Sequence, residues 1–312
     1  MPHLSFRNGS IVRCASCDLM STWPRAVSAT ADLYSASYYA GETATRFQAP
    51  IAEWVMRWFR RRRARTLAYA LGDVAGKRIL DIGCGRGLTL LELQQMGADV
   101  IGTQVSAPAA RRAVSLIGEG RVFQSTVGEA AFAPSTFDAV TLWHVLEHVS
   151  DPLCELIEAA RVLKPAGLLY VEVPNAGGWT AGRYGPAWLA WDVAHHVSHF
   201  TPATLARLAA KAGFTVVREV HLSLEYSPPT LLQTWLNQWL GGDSRLFRAI
   251  THDDDRDAPR GRVPLALHVA AGILLLPAAA LVTLFLALRR DGDTLGVYFK
   301  PATHPPANAP AA

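Results

Sequence analysis

The chain has 312 residues, half of them hydrophobic and 18% charged, with a net charge of +4 and an isoelectric point near 9.0. That composition is too apolar for a disordered chain, and the length suits one large domain with extensions or two small ones. Four cysteines (Cys14, Cys17, Cys84, Cys154) behind a polar amino terminus predict a reducing cytoplasmic setting and argue against a disulfide framework. In chain order, residues 1–40 read as irregular, with Cys14-Ala-Ser-Cys17 and tyrosines at 34, 38 and 39. Residues 50–70 read as a helix with Trp54, Trp58 and a dense arginine run: Arg57, Arg60, Arg61, Arg62, Arg63 and Arg65. Strands are expected at 78–83, 98–103, 121–125, 137–142, 167–173 and 214–224. Helices are expected at 88–96, 107–117, 152–163 and 201–212. Strands and helices alternating at this pitch predict a doubly wound, mostly parallel sheet, which binds ligands beyond the carboxyl ends of its strands.

Residues 78–87, Arg-Ile-Leu-Asp-Ile-Gly-Cys-Gly-Arg-Gly, carry the most information. An apolar strand ends in Asp81, three alternate glycines follow, and Leu88 opens a helix. Glycines allow positive φ and close approach of a ligand, and a helix N-terminus favours an anionic or carboxylate-bearing group. The dinucleotide fingerprint Gly-x-Gly-x-x-Gly fails from Gly83, where Leu88 stands, and from Gly85, where Leu90 stands. The phosphate loop fails for want of a Lys followed by Ser or Thr. A nicotinamide enzyme is thereby disfavoured.

The spacing Asp-x-Gly-x-Gly-x-Gly resembles the first motif of the Rossmann-like, class I S-adenosylmethionine-dependent methyltransferases. Phe137-Asp-Ala-Val, Leu146-Glu-His148 and Arg161-Val-Leu-Lys-Pro-Ala-Gly167 are similar to that family's later motifs, in order. Trp191 to Phe200, with His196 and His199 before Phe200-Thr-Pro, resembles a bacterial subgroup of it. The resemblance spans roughly residues 75–220 and implies S-adenosylmethionine as cofactor. It implies a seven-stranded sheet whose last strand inserts antiparallel beside the fifth. The loop residues Asp81, Gly83, Cys84, Gly85 and Gly87 are then expected to hold the cofactor. Gln104 and Val105 follow the second strand on the ribose side, and Glu129 and Ala130 match the adenine side. Asp81 also fits a structural role, holding the loop through backbone N–H groups, and Glu129 also fits a solvated loop acid.

The ribose position is a departure. The family expects an acid there, and Gln104 lacks the two-oxygen, charge-assisted grip of a carboxylate. That weakens binding by about 1–2 kcal/mol, the gap between neutral and charged hydrogen bonds.

A methyl acceptor bearing a hydroxyl needs a base, and histidine suits that near neutral pH. His144 and His148 follow the fourth strand, and His195, His196 and His199 follow the fifth. His144, immediately past the strand end, is the first choice for contact with cofactor or acceptor. His196 is next, and Glu147 is placed to orient a histidine. Each also fits a satisfied polar residue packing the cleft. Cys14 and Cys17 supply two ligands where a structural zinc needs four, so no metal is expected.

Val263 to Leu288 holds 26 residues without a charge, with arginines at 260, 262, 289 and 290 around it. The length passes the threshold for a membrane span. Yet 294–300 reads as the final strand, which keeps both ends of the apolar segment on one side. Gly272 and Pro277 suit a turn, so the expectation is a re-entrant hairpin or a helix lying in the membrane interface. Leu232, Trp235, Leu236 and Trp239, opposite Gln233 and Gln238, support it. The arginine run suits either anionic lipid or a solvated helix face. A dimer seam and a buried hairpin stand as alternatives for the apolar run.

The expected organisation is an irregular segment (1–45), a methyltransferase domain (46–226), a hydrophobic helical insert (227–290), the last strand (291–302) and a tail (303–312). The expected activity is O-methylation of a small, glycan or lipid-linked acceptor at the cytoplasmic membrane face. The alternative is a non-catalytic cofactor-binding scaffold, motivated by Gln104. Nucleic acid is not the expected partner, because no Asn- or Asp-Pro-Pro-Tyr motif accompanies the arginine run.

Overall fold

A computed structural model describes residues 4–6, 9–24, 50–241, 244–251 and 263–302. The tyrosines at 34–39, Arg260, Arg262 and the tail from 303 lie outside the described residues. The chain divides into two units: Gln48–Glu172 with Ala203–Glu219 and Val297–Ala312, and Met1–Phe47 with Val173–Pro202 and Val220–Gly296.

Strands and helices are numbered in chain order. Three strands precede the first described helix: β1 (Leu4–Phe6), β2 (Gly9–Arg13) and β3 (Met20–Trp23). Helix α1 (Pro50–Leu71) opens the larger alternation. It continues with β4 (Arg78–Ile82), α2 (Leu88–Gln95), β5 (Asp99–Thr103), α3 (Ala107–Ile117) and β6 (Val122–Phe123). Then come β7 (Phe137–Trp143), α4 (Pro152–Val162), β8 (Leu163–Pro174) and α5 (Trp179–Tyr184). The remainder is β9 (Ser198–His199), α6 (Pro202–Lys211), β10 (Phe214–Val220), α7 (Ser227–Leu240), α8 (Arg245–Thr251), α9 (Leu265–Leu288) and β11 (Thr294–Pro301).

The first unit is built on a seven-stranded sheet of order β10-β11-β8-β7-β4-β5-β6. β4 pairs in parallel with β5 and β7, β7 with β8, and β5 with β6. The last strand runs the other way. Ala302 N donates to Gly213 O at 2.7 Å and Thr215 Oγ1 to Lys300 O at 3.3 Å, so the end of β11 meets the start of β10. Ile79, Leu80 and Ile82 of β4 are all buried, the continuous apolar run of a central parallel strand covered on both faces. The chain leaves β4 for β5 on one side and reaches β7 on the other, so the order reverses at β4 and opens a crevice at the strand ends. Asp151 caps α4 by accepting from Leu153 N and Cys154 N, both at 3.1 Å, with Pro152 at the first helical position. β6 is shorter than expected, and β8 starts at Leu163, ahead of the expected 167.

The second unit corrects the reading of residues 1–40 over its described part. β1, β2 and β3 form an antiparallel sheet with β9, in the order β1-β2-β3-β9. Ile11, Met20, Ala181, Trp188 and Trp191 make its core. Such short strands leave little periodicity to read. Cys14 and Cys17, on the turn between β2 and β3, are not joined in a disulfide. The Ser16 hydroxyl and turn amides lower the Cys14 thiol to about 6.

The hairpin expectation is also corrected. Leu265–Leu288 is one unbroken helix with Pro277 inside it. Proline removes one N–H from the helical ladder, and the helix runs on through it. α9 packs Ala279 against Leu231, Leu232, Trp235 and Leu236 of α7. Gln233 is not on a solvated face: it is buried, donates to Asn237 Oδ1 at 2.8 Å and accepts from Phe247 N at 2.9 Å.

Candidate functional site

The glycine loop leaves β4 with Gly83 at φ 67°, Gly85 at 57° and Gly87 at 79°, all left-handed. Each glycine answers a different demand. A Cβ on Gly83 would stand 2.6 Å from Val145 Cγ2, and one on Gly87 3.0 Å from Ala113 Cβ. A Cβ on Gly85 would meet nothing within 4 Å. The first and third glycines therefore serve packing, and the middle one faces open space where a ligand has room. The first turn of α2 holds no acid, which leaves its N–H groups to an anionic partner.

Asp81 lies beneath the loop, buried, and accepts from Thr141 Oγ1 at 2.6 Å. Burial raises its carboxyl to about 6, against the pull of Thr141, Arg63 and Arg60. Cys84 turns inward: its amide donates to Thr103 O at 3.0 Å, and a Cβ on Gly102 would stand 2.6 Å from its sulfur. Burial, then Asp81, pushes its thiol far up, so it stays protonated and apolar in character. The Cys84 side chain thus packs against β5.

Gln104 follows β5, buried, and its Oε1 accepts Ser106 N at 3.1 Å at the start of α3. One lone pair of that oxygen is spent locally, leaving the other and the amide N–H groups for a ribose. Val105, half-buried, follows it. Glu129 is exposed and accepts from Thr126 N at 2.8 Å and Thr126 Oγ1 at 2.9 Å, which hold its carboxyl below its ordinary value. Ala130 N closes the same turn onto Thr126 O at 3.1 Å.

His144 follows β7 directly, with φ 54°, a conformation that disfavours a non-glycine residue by about 1–3 kcal/mol. Its ring is held at both nitrogens: Nδ1 lies 3.2 Å from Glu147 Oε1, and Nε2 lies 3.1 Å from Glu172 Oε1. A carboxylate oxygen stands at each ring nitrogen, so whichever nitrogen carries the proton has an acceptor. Glu172 also accepts from the Tyr170 hydroxyl at 2.8 Å, and Arg63 Nη2 stands 4.0 Å away. Burial pushes the Glu172 carboxyl up, but His144, Arg63 and Tyr170 together bring it below its ordinary value. Arg63 comes from the arginine run of α1, yet it is buried and lies 4.6 Å over the Trp143 ring. Arg61 pairs with Glu92 at 3.0 Å. A solvated or lipid-facing reading therefore does not hold for Arg63.

His148 belongs to the same unit, half-buried in a short 3-10 turn, with its amide donating to Val145 O at 2.9 Å. His195, His196 and His199 belong to the other unit. His195 Nδ1 faces Asp192 at 2.9 Å, His196 Nδ1 faces Ala190 O at 2.9 Å, and His199 Nε2 faces Thr22 Oγ1 at 2.9 Å. Three site residues escaped the sequence reading: Arg63, Thr141 and Glu172. The signal for Glu172 was there, since an acid alternating with Tyr170 in an otherwise apolar strand marks a polar face at the strand end.

A family model described as a methyltransferase domain matches residues 53–219. The chain belongs to the class I S-adenosylmethionine-dependent methyltransferases. A ubiquinone biosynthesis O-methyltransferase of Xanthomonas oryzae pv. oryzae is 33% identical over 178 residues, 53% of this chain and 71% of that protein. One of the same description from Thiobacillus denitrificans is 32% identical over 168 residues, covering 50% and 72%. A solved structure from Galdieria sulphuraria, described as a candidate sarcosine dimethylglycine methyltransferase, shares the fold. Its TM-score is 0.52 over 88% of this chain and 99% of that one, at 16% identity.

The methyltransferase fits S-adenosylmethionine on its own geometry. The open space at Gly85, the unopposed start of α2 and the remaining hydrogen-bonding capacity of Gln104 lie at neighbouring strand ends of one sheet. When bound, the cofactor supplies an electrophilic methyl group on a positively charged sulfur.

Proposed function

We propose that this methyltransferase acts on a hydroxyl of a small or lipid-linked acceptor at the cytoplasmic membrane face. The observation that carries the membrane part is the outer surface of α9. Leu274 is 78% exposed and Leu281 71%, with Ile273, Phe285 and Leu288 exposed beside them. By length and composition α9 is able to cross a membrane. Its packing along α7, with α7 and β11 at either side of it in the chain, supports a helix lying in the interface instead. Trp239, 57% exposed, and Arg289 and Arg290 suit the headgroup level. An enzyme held there meets acceptors that partition into lipid. The O-methyltransferase names of the relatives support a hydroxyl as the accepting group.

In this reading the loop Asp81–Gly87, with Gln104, Val105, Glu129 and Ala130, forms the cofactor side. Gly85 gives room, Asp81 and Cys84 support the loop from below, and Gln104 meets the ribose. His144 takes the acceptor proton, exchanging Glu147 for the acceptor at Nδ1; His148 and His196 are the further candidates. Residues 46–226 with strand 291–302 perform the transfer, and 227–290 meets the membrane. Methyl-labelled S-adenosylmethionine, incubated with the full chain and either a membrane-lipid or a soluble cell extract, tests this. Label is expected in the lipid fraction, and His144→Gln is expected to abolish it. Label confined to soluble products overturns the membrane-face acceptor.

A further inference from the structure

Glu172, the acid behind His144, lies in an apolar strand. β8 is a buried strand of Leu168, Leu169, Val171 and Val173, where a carboxylate is costly unless it is paired and hydrogen-bonded. Glu172 grips residue 144 twice. Its carbonyl accepts the His144 amide at 2.8 Å, and its Oε1 lies 3.1 Å from the ring Nε2. The acid is fixed in turn. The Tyr170 hydroxyl donates to Oε2 at 2.8 Å, and the Tyr298 ring of β11 lies 4.6 Å from that of Tyr170. Arg63 of α1 stands 4.0 Å from Oε1 while lying over Trp143. Glu147 holds the other ring nitrogen at 3.2 Å.

We propose that Glu172 is a positioning residue: it fixes the orientation of the His144 ring and keeps Nε2 protonated, so that Nδ1 is the basic nitrogen presented to the acceptor. This rests on His144 being the base. In the step itself the acceptor O–H bond breaks, Nδ1 takes the proton, and the electron pair stays on the oxygen that becomes methylated. The physical logic is that of a base oriented by a third group: a carboxylate behind an imidazole selects its tautomer and stabilises the imidazolium.

The full chain, labelled with 15N in its histidine rings, reports this directly, with His144→Gln assigning the resonance. Glu172→Gln removes the negative charge beside the ring, so the His144 midpoint is expected to fall by about one pH unit or more. Glu172→Asp, which retains the charge one methylene back, is expected to restore part of the shift and serves if the amide variant fails to fold. Transfer of label to a membrane-lipid extract is expected to slow by about 10–100-fold in Glu172→Gln. Its acidic limb should move to lower pH, and KM for S-adenosylmethionine should stay unchanged. An unmoved His144 midpoint in both variants overturns the inference, whatever the rate. His144→Gln at the wild-type rate overturns the base reading instead, and the midpoint then still reports whether Glu172 governs the ring.

Discussion

At the scale of single residues, the glycine loop stands on a buried acid. Asp81 has its carboxyl raised by burial from an ordinary 3.8 to about 6. The folded state holds that proton more tightly than the unfolded chain. Its contribution is therefore fully present below about pH 4 and is lost as pH rises through 6. Asp81→Asn is expected to raise unfolding stability by about 2–3 kcal/mol at pH 8, and to change it little at pH 4, in urea titrations. Gln104 makes the second residue-scale prediction. Gln104→Glu supplies the two-oxygen grip, and calorimetry is expected to show S-adenosylmethionine bound about 5–30-fold tighter. Both positions were legible in the sequence as local patterns, Asp81 near the end of a strand before a glycine turn and Gln104 as the residue after the second strand. Glu172 and Arg63 were not read. What makes them matter is contact across β7, β8 and α1, residues far apart in the chain.

At the scale of elements, the glycine loop separates packing from binding. Gly83→Ala would drive a Cβ to 2.6 Å from Val145, so thermal unfolding is expected to fall sharply. Gly85→Ala meets only open space, so its stability is expected to drop by about 1 kcal/mol, the strain of its positive φ. Helix α9 was legible as an apolar run of the right length, but its continuity through Pro277 was not. Proline permits a turn without requiring one, and the packing of Ala279 against Leu231, Leu232, Trp235 and Leu236 supports the helical form. Gln233 shows the same limit. Its spacing placed it opposite the apolar stripe, whereas α7 buries both faces and satisfies the amide internally. For the outer face of α9, Leu274→Gln with Leu281→Gln is expected to abolish flotation with phosphatidylglycerol-containing vesicles while leaving cofactor affinity unchanged. Flotation unaffected by the pair would remove the membrane role of this helix.

At the scale of the molecule, the doubly wound, mostly parallel sheet was legible from the alternation of strands and helices, and the place of the last strand beside the fifth came with the family resemblance. The short antiparallel sheet β1-β2-β3-β9 was not legible, since strands of two to five residues carry no usable period and β9 pairs with a strand far away in the chain. In the proposed function, the open loop at Gly85 is the S-adenosylmethionine cradle. Isothermal calorimetry of the full chain with S-adenosylmethionine tests it most directly, with Gly85→Ala alongside. One site per chain is expected, with binding lost in the variant although its unfolding transition is preserved. A wild-type chain that takes up no S-adenosylmethionine at millimolar concentration, or a Gly85→Ala chain that binds it equally well, would contradict the account.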